Sequence, residues 1–413
     1  MEIKSIFISL FLNLLCLAVF AQGSWTQKAD YPLFARYHSS GFAIGDKGYY
    51  VFGGSYIIDN NTADLVEYYP ASNTWTVKST FPGGERIYAH VFVINDIAFI
   101  VSGAYYTPGV GYACYQDVWK YTPTNNSWSQ LNNFPGTPRH GGFAFAHNGK
   151  GYLGLGYGNL DDPFIDVWEY NPATDSWTQK SNFPGTPFKS GFQFSIDKCA
   201  FIGMGYSTGL TQLDDVWQYD ADQDIWTQKN DFTSYAMSWV SNFTMNGKGY
   251  VVCGKKLDLG LETNEFWEYN PQTDSWIGMP AFSGAARLAA SGFAINGKGY
   301  TGLGAYGSST YMADFWEFTP SGYGVDQTNV KQKAEVNIYP NPSNAEVNVE
   351  INNPEHKDLT LSVFDADGKC VKQFKAGNNS QLITAEHSVF SAGTYFIAVS
   401  FGENTIVKKL VIE

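Results

Sequence analysis

The chain has 413 residues, a formal net charge of −13, 44% apolar residues and 16% charged residues. Its acidic balance argues against nucleic acid, whose phosphates need a clustered basic surface, and its apolar content argues against disorder. Aromatic residues at 17%, with 42 glycines, suit many short strands joined by tight turns, and the length suggests two or three domains.

At the N-terminus, Lys4 precedes an apolar run from Ile6 to Phe20, and Val19 and Ala21 stand where a signal peptidase reads small residues. The expectation is a secretory signal peptide over 1–21, cleaved after Ala21. The run is short for a retained anchor, and Cys16 lies inside it, which does not suit a lipoprotein cysteine. No later stretch is long and apolar enough to span a bilayer, so no transmembrane segment is expected after cleavage.

Two markers then recur together. Trp25, Trp75, Trp128, Trp177, Trp226 and Trp276 step by 50, 53, 49, 49 and 50 residues. A glycine-closed apolar strand, first seen as Gly48-Tyr49-Tyr50-Val51-Phe52-Gly53, recurs with terminal Gly103, Gly156, Gly205, Gly254 and Gly304 at the same steps. Two markers keeping one period indicate six repeats. The third repeat parses into four strands: Gly142 to His147, a turn at Asn148-Gly149, Gly151 to Gly156, a loop, the Trp168 strand, the Asn171-Pro172 turn, and the Trp177 strand.

The two ends of the array are complementary. The mature chain opens with Ser24-Trp25-Thr26-Gln27, a fourth strand lacking its first three, and the sixth repeat stops after its third strand at Thr319-Pro320. Pairing the two leaves no exposed edge. The fold class expected is therefore all-β, a six-bladed propeller over 22–320 closed by the N-terminal strand.

These residues resemble the kelch family through the glycine-closed second strand, the fourth-strand Trp and the third-strand aromatic. The departures are mild: a double glycine only at Gly53-Gly54, and Val66 in place of a third-strand Trp. The resemblance implies a propeller that binds proteins or carbohydrates. A minority of the family are enzymes, among them a copper galactose oxidase and a sialic acid mutarotase.

After Pro320 the composition shifts, and 321–334 reads as a linker. Segment 335–413 has no Trp and alternates as a small Ig-like β-sandwich. It resembles the C-terminal sorting domain of type IX secretion substrates in Bacteroidetes, carried by Tyr339-Pro340-Asn341-Pro342, the Phe364 to Gly368 turn, Gly393-Thr394-Tyr395 and the terminal Val407-Lys408-Lys409-Leu410. That resemblance implies passage through the periplasm, recognition by the type IX machinery, and a secreted or outer-surface location.

Candidate functional residues fall in the loops entering each first strand. Equivalent positions are Arg36, Arg86, Arg139, Phe188, Met237 and Arg287, with Lys189 beside the fourth. A ring of guanidiniums could hold a carboxylate or sulfate, or each Arg could pair with an acid of its own blade. The recurrent acids Asp64, Asp117, Asp166, Asp215, Glu265 and Asp314 read as structural, because a residue needed in every blade is not a unique catalyst. The segment Ala104 to Gln116 is the longest loop of its class and carries Tyr105, Tyr106, Tyr112 and Tyr115. These suit stacking on a sugar or a protein contact, or they could cover a local core. His38, His90 and His140 are placed on the same face.

An oxidase reading needs two histidines, a tyrosine and a cysteine-linked tyrosine in one pocket, and Cys114-Tyr115 adjacency does not establish the cross-link. A mutarotase reading would use the arginine ring, but its acid and base find no unique positions. No catalytic residue, metal ligand or cofactor is assigned. Cys114, Cys199, Cys253 and Cys370 form no CxxC pair and read as buried thiols or a disulfide. The function expected is a secreted or cell-surface binding protein for an extracellular glycan or protein, with a carbohydrate-active enzyme as the alternative.

Overall fold

In the computed structural model, the described residues are 23–55, 60–307, 309–321, 335–339, 341–343, 347–352, 359–366, 369–376, 381–385, 391–401 and 404–412. The expected signal peptide, nearly all of the expected linker, and Pro340 lie outside them. The chain divides into two compact units, Met1–Gly324 and Val325–Glu413.

In the first unit, Ser40–Ile44, Lys47–Val51, Leu65–Tyr69 and Thr74–Val77 form an antiparallel sheet in that order. The order recurs in sheets beginning at His90–Ile94, Phe143–His147, Phe192–Ile196 and Ser241–Met245. A sixth sheet runs Ser291–Ile295, Lys298–Gly302 and Phe315–Thr319, and takes its fourth strand, Ser24–Gln27, from the start of the chain. Trp25 lies opposite Phe318 in that pairing.

Each second strand turns at its marker glycine for a backbone reason, and in the fifth sheet it runs on through a register shift to Lys256. Phe52, Ser102, Leu155, Met204, Cys253 and Leu303 have φ between 55° and 65°, and the glycine after each is also left-handed. Two successive residues at positive φ turn the chain sharply, and the second needs glycine. The turn aims the glycine N–H at the next sheet: Gly53 donates to the Arg86 carbonyl, Gly103 to Arg139, Gly205 to Met237, Gly254 to Arg287 and Gly304 to Arg36. A second set of links runs nearer the axis through His38, Tyr88, Ser190, Trp239 and Ala289, all non-glycine residues at positive φ. Tyr88 N–H donates to the His38 carbonyl, His38 to Ala289, Ala289 to Trp239, Trp239 to Ser190, and Ser190 to Gly141.

The apolar core lies between sheets rather than inside one layer. Six buried clusters each draw on two successive sheets, and one of them joins Phe293, Tyr300 and Phe315 of the sixth sheet to Tyr50, Val66 and Tyr68 of the first. Tyr31, Phe81, Phe134, Phe183, Phe232 and Phe282, one in each connection, are all buried and meet the fourth-strand Trp rings edge-on, as Phe134 meets Trp177 at 5.1 Å. The Trp168 and Trp177 rings therefore pack between sheets. The sheets approach so closely that a Cβ at Gly48, Gly151, Gly249 or Gly299 would sit 2.1–2.2 Å from a Phe ring of the neighbouring sheet.

The second unit holds a three-stranded sheet (Glu335–Tyr339, Val347–Asn352, Gln381–Ala385) and a four-stranded one in the order Cys370–Ala376, Leu359–Asp365, Gly393–Phe401, Asn404–Ile412. Both sheets feed one core that includes Val336, Val349, Leu361, Val399 and Leu410.

Gly249→Val should cost about 1–3 kcal/mol by overpacking against Phe194, whereas Gly278→Ala, whose added methyl would meet Trp267 at an ordinary 3.6 Å, should leave the midpoint of thermal unfolding nearly unchanged. Differential scanning calorimetry of the two variants compares them directly.

Candidate functional site

The arginines are scaffold. Arg36, Arg86, Arg139 and Arg287 are fully buried. Arg139 donates to both carboxylate oxygens of Asp166, at 2.7 and 2.8 Å, and to the Leu155 carbonyl at 3.1 Å. Arg86 and Arg287 repeat the arrangement with Asp117 and Ser102 and with Asp314 and Leu303. Arg36 pairs with Asp64 and with the Phe52 carbonyl. The left-handed turn directs each of those carbonyls inward, away from any ladder partner, and the guanidinium satisfies it. A fork already used in this way cannot be offered to a ligand, so these four residues leave the ligand-binding set.

The recurrent acids complete the same device. Asp117, Asp166 and Asp314 also accept from the indole N–H of Trp119, Trp168 and Trp316. Where the Arg is replaced by Met237, Lys256 pairs with Glu265 instead. Tyr115 belongs here too, since its ring lies 4.0 Å from the Arg86 guanidinium and its hydroxyl donates to the Glu85 carbonyl at 3.2 Å.

The candidate site is an aromatic bowl at the mouth of the axis, with a cavity of about 510 Å³. Its floor is His38, Tyr88 and Trp239, three of the left-handed axial residues. Trp239 N–H donates to the Tyr88 oxygen at 3.0 Å, and the Tyr88 hydroxyl lies 2.7 Å from His38 Nε2. Burial holds His38 neutral, well below its ordinary pKa, with His140 adding to the shift, so the 2.7 Å hydrogen bond joins two uncharged groups. The His38 and Tyr88 rings stack at 3.8 Å. Below this floor a second cavity of about 240 Å³ follows the axis between the first strands and is lined by His90, Gln193 and Asn242 among others.

The walls come from the segments between second and third strands. Ala104 to Gln116 is not an irregular loop: Ala104–Thr107 pairs with Gly111–Cys114 as a hairpin. Alternation puts Tyr106 and Tyr112, paired in register, on the bowl side and Tyr105 on the other face. Tyr206 packs against Trp239 at 4.8 Å, and Tyr37 stacks on Tyr311 at 5.5 Å. Lys255 completes the lining and is held by Glu262 at 3.0 Å.

His140 and Lys189 stand behind the wall. His140 is buried and stacks on Tyr112 at 4.1 Å, with Nδ1 3.4 Å from Cys114 Sγ. Burial, then the charge of Lys189 and the neighbouring His90, push His140 down to about 3. Burial, then Asp162, pushes the Cys114 thiol up to about 12, so neither group offers an ionised form near neutrality. His90, also pushed down to about 3 by burial, accepts the Gly142 N–H at 3.0 Å. Lys189 lies over Tyr157, Tyr206 and Tyr112 and pairs with Asp161. Among the described residues, no group of three His, Cys, Asp or Glu is placed to hold a metal ion. Cys114, Cys199, Cys253 and Cys370 are free.

Of the candidates read from the sequence, His38, Tyr106 and Tyr112 line the bowl. Tyr37, Tyr88, Tyr206, Trp239, Lys255 and Tyr311 were missed. A signal existed: counted from the marker glycines, the axial positions read His38, Tyr88, Gly141, Ser190, Trp239 and Ala289, so the repeat keeps the backbone and varies the side chain.

In the second unit the sorting motif is held by its asparagine. Asn341 Nδ2 donates to the Lys409 carbonyl at 2.7 Å, and Asn341 Oδ1 accepts the Val411 N–H at 2.9 Å. Lys408 and Lys409 are exposed, and the Tyr395 hydroxyl donates to the Ser391 carbonyl.

Residues 337–413 match the secretion system C-terminal sorting domain. No curated protein matches the chain. A solved structure titled "Structure of YjhT" is similar over 71% of this chain and 99% of that one, at 16% identity and a TM-score of 0.60. The chain thus combines a kelch-like β-propeller fold with a C-terminal sorting domain that marks it for type IX export to the cell surface or extracellular space.

Arg139→Ala would strand Asp166 and the Leu155 carbonyl and should cost about 3–5 kcal/mol in urea unfolding. Burial works to raise the Asp166 and Asp314 carboxyls, but the hydrogen bonds and charge of Arg139 and Arg287, with the Trp168 and Trp316 indoles, outweigh it and hold both below the usual range. Such a carboxylate contributes stability that is complete above its unfolded pKa, about 3.9, and is lost as pH falls through the folded value. Acid unfolding should therefore steepen below about pH 4, and Asp166→Asn should flatten that slope.

Proposed function

We propose that the chain works outside the cell as a closed six-bladed propeller that binds a carbohydrate in the aromatic bowl. Two features support closure: the sixth sheet is completed by Ser24–Gln27, and the links from Gly304 to Arg36 and from His38 to Ala289 join the sixth sheet to the first. The observation that carries the ligand class is the lining. Tyr37, Tyr88, Tyr106, Tyr112, Tyr206, Trp239 and Tyr311 surround one cavity whose size is ordinary for a small-molecule site. Rings presented around a concave space stack on the C–H faces of a sugar, while phenol and ammonium groups at the wall meet its hydroxyls.

The signal peptide over 1–21 and the C-terminal domain supply the route: entry to the periplasm, then passage across the outer membrane by type IX secretion. The domain limits at 22–320, 321–334 and 335–413 follow from this division of labour. The Tyr339 to Pro342 box, Gly393, Tyr395 and the Lys408-Lys409 pair are assigned to recognition by the export machinery, and Asn341 itself bonds to the last strand.

Glycan-array binding by the secreted protein should be lost or reduced about tenfold or more in Trp239→Ala and Tyr112→Ala, each checked for folding by near-ultraviolet circular dichroism. Array binding that survives both changes would remove the bowl as the site. Deleting Val336 to Glu413 should leave a folded propeller that accumulates in the periplasm; surface display of that truncation, detected by protease shaving of whole cells, would refute the sorting role.

A further inference from the structure

We infer that the bowl takes an uncharged saccharide and discriminates against sugar acids and sulfated sugars; this rests on the carbohydrate reading above and narrows it. The first ground is that the cations around the bowl already have partners. Lys255 is held by Glu262 at 3.0 Å, Lys189 by Asp161, and Lys256 by Glu265. The four arginines are sealed within their sheets. A ligand carboxylate would have to exchange with a protein carboxylate for the same ammonium. That exchange yields little, while the ligand still loses its hydration. The net charge of −13 adds a field that opposes an approaching anion.

The second ground is the floor. The Trp239 N–H is used by the Tyr88 oxygen and the Tyr88 hydroxyl by the His38 Nε2 contact, at 3.0 Å and 2.7 Å, so the indole and the phenol at the deepest surface offer ring faces to a ligand. His38, held neutral by burial, adds no positive charge to that surface. A pyranose matches such a surface because its C–H patch lies flat on the rings and its hydroxyls, each donor and acceptor at once, point outward to the rim. The carboxylate of an acidic sugar would meet either this floor or an occupied lysine.

Isothermal titration of the full secreted chain tests this. One arm uses glucose, galactose, N-acetylglucosamine and their short oligomers; the other uses glucuronate, galacturonate, N-acetylneuraminate and sulfated galactose. The expected result is binding of at least one neutral sugar, with its acidic counterpart weaker by about tenfold or more. Affinity should hold steady from about 0.05 to 0.5 M salt, a range over which exposed ion pairs are screened. Trp239→Ala should weaken binding by about tenfold or more, and Lys255→Ala, while free to weaken it, should leave the preference for the neutral sugar and the insensitivity to salt unchanged. Should Trp239→Ala not fold, Tyr112→Ala on the hairpin serves the same comparison. Tighter binding of an acidic sugar, with affinity falling as salt rises and collapsing in Lys255→Ala, would overturn the uncharged class and leave the carbohydrate reading standing. Binding of no sugar in either arm would overturn both, and would direct attention to a protein partner inserting an apolar side chain.

Discussion

Everything in the first unit depends on the reversal of backbone handedness at the marker glycine of each second strand. Two residues at positive φ cost conformational energy, and they persist because the N–H they redirect is used at once by the neighbouring sheet. The same turn points a carbonyl inward, which calls for a buried donor, which calls for a carboxylate, which recruits an indole. Arg139, Asp166 and Trp168 are thus consequences of Leu155 and Gly156. The repeat seen in the sequence is this chain of obligations, copied with small substitutions such as Lys256 for the missing arginine of the fifth sheet.

Because backbone atoms carry the links near the axis, the side chains there are relieved of structural duty. His38, Tyr88, Ser190, Trp239 and Ala289 share a conformation but not a chemistry. The large rings point into one space, and the position after each marker glycine is small at Gly54, Ala104 and Ala305 and large at Tyr157, Tyr206 and Lys255. A repeated scaffold therefore holds an asymmetric lining.

The period of the Trp and Gly markers was enough to read the sheets, their strand order and the pairing of the two ends, because each marker answers a packing demand that recurs without exception. The sorting domain was legible from its local motifs. The site was legible only in part. Arg36, Arg86, Arg139 and Arg287 looked like ligand donors because sequence records charge but not burial, and their carboxylate partners lie 27 to 31 residues away, or 28 for Arg36. Tyr88 and Trp239 were overlooked because each stands alone in its repeat, and only the common backbone position makes them neighbours. The Tyr105 to Tyr115 stretch stood out in the sequence as part of the longest loop of its class, but its period-two alternation, which sends Tyr106 and Tyr112 one way and Tyr105 the other, went unused.

The pairing of Ser24–Gln27 with Phe315–Thr319 also bears on the order in which the chain is made. The strand that completes the last sheet is made before the other strands of the six sheets and has no partner until Phe315–Thr319 follows it. The sorting domain comes after that partner. A chain broken off anywhere within the repeats therefore lacks both the means to finish its sixth sheet and the address that sends it out. Because the sorting domain lies downstream of Phe315–Thr319, a chain that carries it already holds both partners of the last sheet.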